Sequence, residues 1–74
     1  MSKLPALRPS DVARVARKLG FVLHRQRGSH AIYHRQADGR IAVIPMHSRD
    51  LTRGMLSGLI GDFGVTKDEF RNLL

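Results

Sequence analysis

Two glycine-containing turns within one short segment constrain the fold of this chain more than any other feature. Residues 21–45 read FVLHRQRGSHAIYHRQADGRIAVIP, so that QRGS and QADGR separate three short apolar runs. Asp-Gly between alternating apolar runs is a strong hairpin signal, and Pro45 fits the end of a strand better than its middle. We therefore predict an antiparallel three-stranded meander, with strands over 21–25, 30–35 and 41–45.

An amphipathic helix is predicted before these strands. Its apolar residues recur at the spacing of a single helical face, and they are Val12, Val15, Ala16 and Leu19. Ser10 is the predicted N-cap, with Asp11 next to it at the positive end of the helix dipole. Gly20 is expected to end the helix in the left-handed conformation.

Two further helices are predicted after the strands. The first has the apolar stripe Leu56, Leu59, Ile60 and Phe63, and it ends at Gly64. The second starts at Thr66, because Thr66 and Glu69 form a capping box, and its expected buried face is Phe70, Leu73 and Leu74. The complete order predicts an α+β fold, with helices on one face of a three-stranded antiparallel sheet, in a single domain over 1–74.

The first of these later helices contains an unusual stripe of small residues, namely Gly54, Gly58 and Gly61. Each glycine costs about 1 kcal/mol relative to alanine inside a helix, so a packing reason is expected. We interpret the stripe as a smooth surface that allows close approach to the sheet, to the first helix or to another chain. A membrane pairing motif is disfavoured by the neighbouring Arg53 and Asp62.

The positive charge is concentrated in the first half of the chain. Residues 1–37 hold eight Lys/Arg against one acid, which gives +7, whereas residues 38–74 hold five of each, which gives zero, for a net charge of +7. Such a field attracts polyanions through counterion release. Nucleic acid is the expected partner class, and an acidic protein or a merely solvated basic face are the alternatives.

The chain contains no cysteine, which excludes a disulfide, a thiolate metal site and a catalytic thiol. The start, MSKLPALRPS, lacks the apolar run and cleavage site of a signal peptide. The longest uncharged runs are eight residues, far below the roughly 18 that suggest a membrane span. A cytoplasmic protein with no membrane partner is expected.

Histidine is the side chain best suited to proton transfer near neutral pH, and the chain has His24, His30, His34 and His47. Neutral imidazole can accept the proton of a ribose 2′-hydroxyl, which starts RNA cleavage without a metal. His30 is the leading candidate because Gly28 lets a phosphodiester approach the backbone and Ser29 can donate a hydrogen bond to it. The alternative is an ordinary strand histidine beside a Gly-Ser turn.

Arginines around this motif complete the predicted substrate-binding set, which comprises Arg25, Arg27, Gly28, Ser29, Arg35 and His47. The arginines would hold phosphate and favour a neutral neighbouring imidazole by like-charge repulsion. His47 follows the third strand, where it either reaches a ligand or satisfies loop carbonyls.

The remaining histidines are weaker candidates. His34 has the strand parity of His30, so the two should share a sheet face, where His34 either assists as an acid or is simply solvated. His24 could pair across the strands or cap a sheet edge. No histidine pair has helical metal-ligand spacing and only Asp38 and Asp50 lie nearby, so no metal or other cofactor is predicted.

Several segments closely resemble the HicA family of mRNA interferase toxins. They are KLGF at the helix end, RQRGSH with Tyr33 three residues on, DGR, IAVIPMH, and LTRG followed by ML. The resemblance runs from about Arg8 to Phe70. The chain departs from the family at Gly58 and Gly61, where better helix formers are usual, and in the extra residues Leu4 to Pro9.

The resemblance implies a double-stranded-RNA-binding-domain-like α-β-β-β-α fold, here with a short extra C-terminal helix, and metal-independent mRNA cleavage. It identifies the histidine of the Gly-Ser-His motif, His30, as the essential catalytic group. It also implies a HicB antitoxin whose N-terminal part covers the toxin and shields that histidine. Because the reaction needs a 2′-hydroxyl, RNA is the expected substrate. No DNA binding by this chain alone is expected. The non-catalytic alternative is a basic RNA-binding module that reads shape and phosphate.

Overall fold

The computed structural model describes residues 4–74, so that Lys3, part of the basic half, lies outside the described residues. Its elements are α1 Pro9–Lys18, β1 Val22–Arg27, β2 His30–Arg35, β3 Arg40–Pro45, α2 Arg53–Phe63 and α3 Lys67–Asn72. The strands form one antiparallel sheet in the order β1-β2-β3. The predicted α+β, double-stranded-RNA-binding-domain-like class is therefore confirmed.

Helix α1 begins two residues earlier than the sequence pattern predicted. Arg8 is the N-cap residue, and Pro9 is the first helical residue, a position where the missing N–H and fixed φ of proline are tolerated. The Asp11 carboxylate accepts a hydrogen bond from the Arg8 N–H at 3.0 Å. The prediction of Ser10 as N-cap was wrong because Asp11 reaches back to the helix start, which leaves Ser10 inside the first turn.

The end of α1 follows the prediction. Gly20 has φ +89°, and the N–H groups of Gly20 and Phe21 donate to the carbonyls of Arg17 and Ala16 at 3.0 and 2.9 Å. This pair of bonds is the Schellman arrangement, which satisfies carbonyls left open at the helix end. The reversal directs Phe21 straight into the core, where its side chain is fully buried.

The core lies between one face of the sheet and the helices. Alternate residues of β2 and β3 supply the sheet side, namely Ala31, Tyr33, Ala42 and Ile44. The predicted stripe of α2 is buried, and the ring centroid of Phe63 lies 5.3 Å from that of Phe21 and 6.3 Å from that of Phe70. The predicted Thr66–Glu69 capping box opens α3, which buries Phe70 and leaves Leu73 and Leu74 only partly buried.

The glycine stripe of α2 does not pack closely against the sheet or against α1. Gly54, Gly58 and Gly61 are all exposed, and a Cβ added at any of them would meet no atom within 4 Å. The expectation of close packing within the chain was wrong, because the buried stripe of α2 already fills the side that faces the core. The glycines lie on the opposite, solvent-facing side of the helix.

Candidate active site

The turn between β1 and β2 is tighter than predicted, since β1 continues to Arg27 and only Gly28 and Ser29 connect the strands. Gly28 has φ +57°, whereas Ser29 has no positive φ, which is the sign pattern of a type II′ hairpin turn. The Gln26 side-chain amide donates to the Gly28 carbonyl at 3.1 Å. The hairpin therefore sets His30 as the first residue of β2, directly opposite Arg27.

His30 lies on the sheet face that no helix covers. Ala31 and Tyr33 are buried against the helices, whereas His30 is exposed, and alternate strand residues point to opposite faces. The register of the sheet places nine residues on this open face, namely Val22, Arg25, Arg27, His30, Ile32, His34, Ile41, Val43 and Pro45. The predicted shared face of His30 and His34 is confirmed, and His30 is exposed to solvent.

A β-bulge at His24 decides which way the arginines of β1 face. Leu23 pairs with Tyr33, yet Arg25 pairs with Ile32, so the extra residue is His24. One inserted residue reverses the face of every residue that follows it in a strand. Without the bulge, Arg25 and Arg27 would project toward the helix side of the sheet, and with it they join His30 on the open face.

The strand register places the backbone positions of Arg25 and Arg27 close to His30. Arg27 is its direct cross-strand partner, and such pairs have Cβ atoms about 4.5–5.5 Å apart. Arg25 is opposite Ile32 and thus diagonal to His30, which corresponds to about 7–8 Å. The register therefore places two exposed arginines beside His30 on the open face.

Arg35 does not belong to this group, which corrects the expectation that it surrounds His30. It lies on the helix side of the sheet, about 16 Å from His30 at the rise of an extended strand. Its guanidinium carbon, Cζ, lies 4.6 Å from the centroid of the Phe21 ring. The guanidinium N–H groups donate to the Leu19 carbonyl at 2.8 Å and to the Phe63 carbonyl at 3.4 Å. It therefore neutralises the C-terminal ends of α1 and α2, where cations are favourable.

Asp38 completes this structural use of Arg35. Its carboxylate accepts two hydrogen bonds from the Arg35 guanidinium, at 2.8 and 3.0 Å, and lies 3.2 Å from Nε of Arg40. The hydrogen bonds from Arg35 lower the pKa of Asp38 to about 2. This network fixes the turn between β2 and β3, where Gly39 takes φ +71° as the Asp-Gly signal predicted.

We expect the contribution of Asp38 to stability to disappear in acid. A carboxyl group with a folded-state pKa below its unfolded value, about 3.9, stabilises the fold above that value and loses the effect as the pH falls through its folded pKa. The melting-temperature difference between wild type and Asp38→Asn should thus be largest above about pH 5, become small near pH 2 and vanish below that pH. A difference that is constant over this range would contradict the assignment. Asp62→Asn is the control, since the Asp62 carboxylate forms no ion pair within residues 4–74.

The loop after β3 is hydrogen-bonded to the turn between β1 and β2. The Met46 N–H donates to the Ser29 carbonyl, and the His47 N–H folds back to the Pro45 carbonyl at 3.0 Å. His47 is exposed, and its ring Nδ1 accepts a hydrogen bond from the Arg49 N–H at 3.2 Å. The loop therefore holds His47 at the same end of the sheet as Gly28, Ser29 and His30.

A model of the family described as HicA toxin of bacterial toxin-antitoxin matches residues 9–65 of the 74. The chain belongs to the HicA toxin family. A comparison with curated proteins gave no match. As a HicA protein, the chain is the toxin of a toxin–antitoxin system, and membership implies a HicB-type antitoxin as partner.

Two other histidines of this HicA protein lie together at the far end of the open face. The ring centroids of His24 and His34 are 6.1 Å apart in an edge-to-face arrangement. No group of three or more His, Cys, Asp or Glu side chains in the described part of the chain is arranged to hold a metal ion. In the same residues, no helix has the length and apolarity to cross a membrane.

The sequence analysis did not predict that Arg49 orients the His47 ring of this HicA protein. Its backbone N–H, rather than its side chain, orients the His47 ring. An acceptor side chain that bonds to the N–H two residues later is a known device of Asn and Asp in turns. His47-Ser48-Arg49 follows that spacing, which was the only available signal.

Proposed function

We propose that this HicA protein is a metal-independent endoribonuclease that cleaves mRNA in the cytoplasm, with His30 as the general base. The observation that carries the proposal is an exposed imidazole beside two arginines on the uncovered face of the sheet. The mRNA interferase activity that the HicA resemblance implies agrees with this arrangement. A buried imidazole, or one facing the helices, would have excluded it.

The groups around His30 supply the base and the phosphate contacts that the proposed reaction needs. The neutral imidazole takes the proton of the ribose 2′-hydroxyl, and the 2′-oxygen attacks the adjacent phosphorus. The bond from phosphorus to the 5′-oxygen then breaks, and the leaving oxygen takes a proton from solvent water while the protonated His30 returns its own proton to water. The products are a 2′,3′-cyclic phosphate and a 5′-hydroxyl. Arg25 and Arg27 hold the phosphate, while Gly28 presents no Cβ to obstruct it and Ser29 offers a hydroxyl donor.

The HicB-type antitoxin is proposed to cover the open face and shield His30. Three apolar side chains there are 42–63% exposed, namely Val43, Ile41 and Val22. An exposed apolar patch among cationic groups is typical of a binding surface for another protein. A partner with apolar and acidic groups would cover the patch and neutralise Arg25 and Arg27 together.

The test is cleavage of purified RNA by the purified protein in excess chelator. We expect 5′ fragments that end in a 2′,3′-cyclic or a 3′ phosphate, because the attacking oxygen belongs to the ribose. RNA with a 2′-deoxyribose at the cleaved position should bind and remain intact. Fragments with a plain 3′-hydroxyl would contradict the mechanism and indicate an activated water.

Two further versions of the same assay test the non-catalytic alternative and the shielding of His30 by the antitoxin. RNA that stays intact but bound, with salt-sensitive affinity, would favour a non-catalytic RNA-binding module. Addition of the cognate antitoxin should suppress cleavage. Full cleavage at saturating antitoxin would contradict the proposed covering of His30.

A further inference from the structure

We propose that His47 is a second catalytic residue, which acts as a neutral hydrogen-bond donor to a non-bridging oxygen of the reacting phosphate. This inference rests on the proposed function of His30 and adds to it the group that stabilises negative charge as the phosphorus is attacked. The observations behind it are the position of His47 and the hydrogen bond that its Nδ1 accepts from the Arg49 N–H. Neither was evident from the order of residues along the chain.

The backbone holds His47 at the His30 end of the sheet. His30 pairs with Pro45 across β2 and β3, and the Met46 N–H extends this ladder to the Ser29 carbonyl. The His47 N–H bonds to the Pro45 carbonyl at 3.0 Å, which turns the chain sharply there. His47 therefore lies one residue beyond the bond that ties the loop to the Gly28-Ser29 turn.

The other histidines are too far away for this task. His34 is four residues along β2 from His30, which corresponds to about 13 Å. His24 lies with His34, at 6.1 Å between ring centroids. The oxygens of one phosphate lie within a few ångströms of its phosphorus, so only His47 is at the correct end of the sheet to share a phosphate with His30.

The hydrogen bond to the His47 ring fixes its role as a donor. A backbone N–H can only donate, so Nδ1 of His47 must accept from Arg49 at 3.2 Å and carry no proton. The neutral ring then has its proton on Nε2, and no group within the described residues accepts that proton. His47 in this tautomer cannot be a base through Nε2. A neutral His47 ring would have to give up its last proton to act as the general acid, which is far harder than donating a hydrogen bond. His47 is therefore not the group that protonates the 5′-oxygen.

A fixed neutral donor suits the charge that develops in the reaction. As the 2′-oxygen attacks, negative charge grows on the two non-bridging oxygens, and preorganised donors aimed at them stabilise the transition state more than the bound RNA. The Nε2–H keeps its proton throughout, so no proton passes through His47. His30 takes one proton from the 2′-hydroxyl and returns it to solvent, and the 5′-oxygen takes one proton from solvent, so the protons balance without His47.

The experiment compares His47→Ala and His47→Gln with wild type by single-turnover cleavage of a defined RNA. His47→Ala should lower the cleavage rate by about 10²- to 10³-fold, the usual effect of removing one such donor, with little change in binding of 2′-deoxy RNA. His47→Gln should recover much of the rate, because its amide N–H reaches about as far as Nε2 and does not titrate. Melting temperatures of both variants check the fold.

A sulfur leaving group separates the donor role from an acid role. Replacing the 5′-oxygen at the cleaved bond by sulfur makes protonation of the leaving group unnecessary, so it should not rescue His47→Ala. Rescue by that substrate, or an inactive but folded His47→Gln, would overturn the donor assignment. If wild type and His47→Ala cleave alike while His30→Ala is inactive, only this inference fails. If wild type does not cleave RNA, the proposed function fails and this inference fails with it.

Discussion

Replacing His30 by alanine is expected to lower the rate of RNA cleavage by about 10³-fold. General base catalysis by a positioned imidazole contributes typically 10²–10⁴-fold, and 10³-fold corresponds to about 4 kcal/mol of lost transition-state stabilisation. Growth arrest on expression of the chain should be lost with the activity. The fold should remain, because the side chain is exposed and surface substitutions usually change stability by less than about 0.5 kcal/mol.

His34→Ala is the matched control for this variant. His34 is a histidine on the same strand and the same face, about 13 Å from His30, so its removal changes the charge and hydrophobicity of the open face in a similar way. We expect His34→Ala to cleave at close to the wild-type rate. Full cleavage by His30→Ala, or an equal loss in both variants, would contradict the assignment of His30 as the base.

Replacing Phe63 by alanine is expected to remove a large part of the free energy of unfolding. Phe63 is fully buried, contacts the rings of Phe21 and Phe70, and thus joins α2 to the end of α1 and to α3. Loss of such a side chain costs about 3–5 kcal/mol, whereas a domain of this length has a total stability of roughly 4–11 kcal/mol at 0.05–0.15 kcal/mol per residue. Urea unfolding followed by circular dichroism measures the effect.

Leu23→Ala provides the comparison for Phe63→Ala. Leu23 lies on the edge strand β1, and its side chain is 51% exposed, so removing its branch leaves no enclosed cavity. We expect a loss below about 1 kcal/mol, in line with the partial burial of a leucine side chain. A Phe63→Ala midpoint close to that of Leu23→Ala would mean that the three phenylalanines do not form the central cluster of the core.

The local elements of this protein were predictable because each depends on residues close together in the chain. Gly20 and Gly64 end helices where left-handed residues are needed, Thr66 and Glu69 cap each other, and Asp38-Gly39 sets the second turn. The wrong N-cap prediction at Ser10 is also a local matter, because the neighbouring Pro9 and Asp11 set the start of the helix two residues earlier. The Gly-Ser-His motif also lies within three consecutive residues, so the order of amino acids was enough to single out His30.

Tertiary structure alone decided which side chains meet at His30. The bulge at His24 turns Arg25 and Arg27 to the open face, whereas strand parity and the helix ends take Arg35 to the other side. The bond from Met46 to Ser29 brings the His47 loop to the hairpin. These outcomes depend on strand register and on contacts between distant segments. A one-residue shift in the pairing of a strand moves its side chains to the other face of the sheet. Composition and local spacing therefore defined the elements and the motif, but the register of the sheet selected the residues around it.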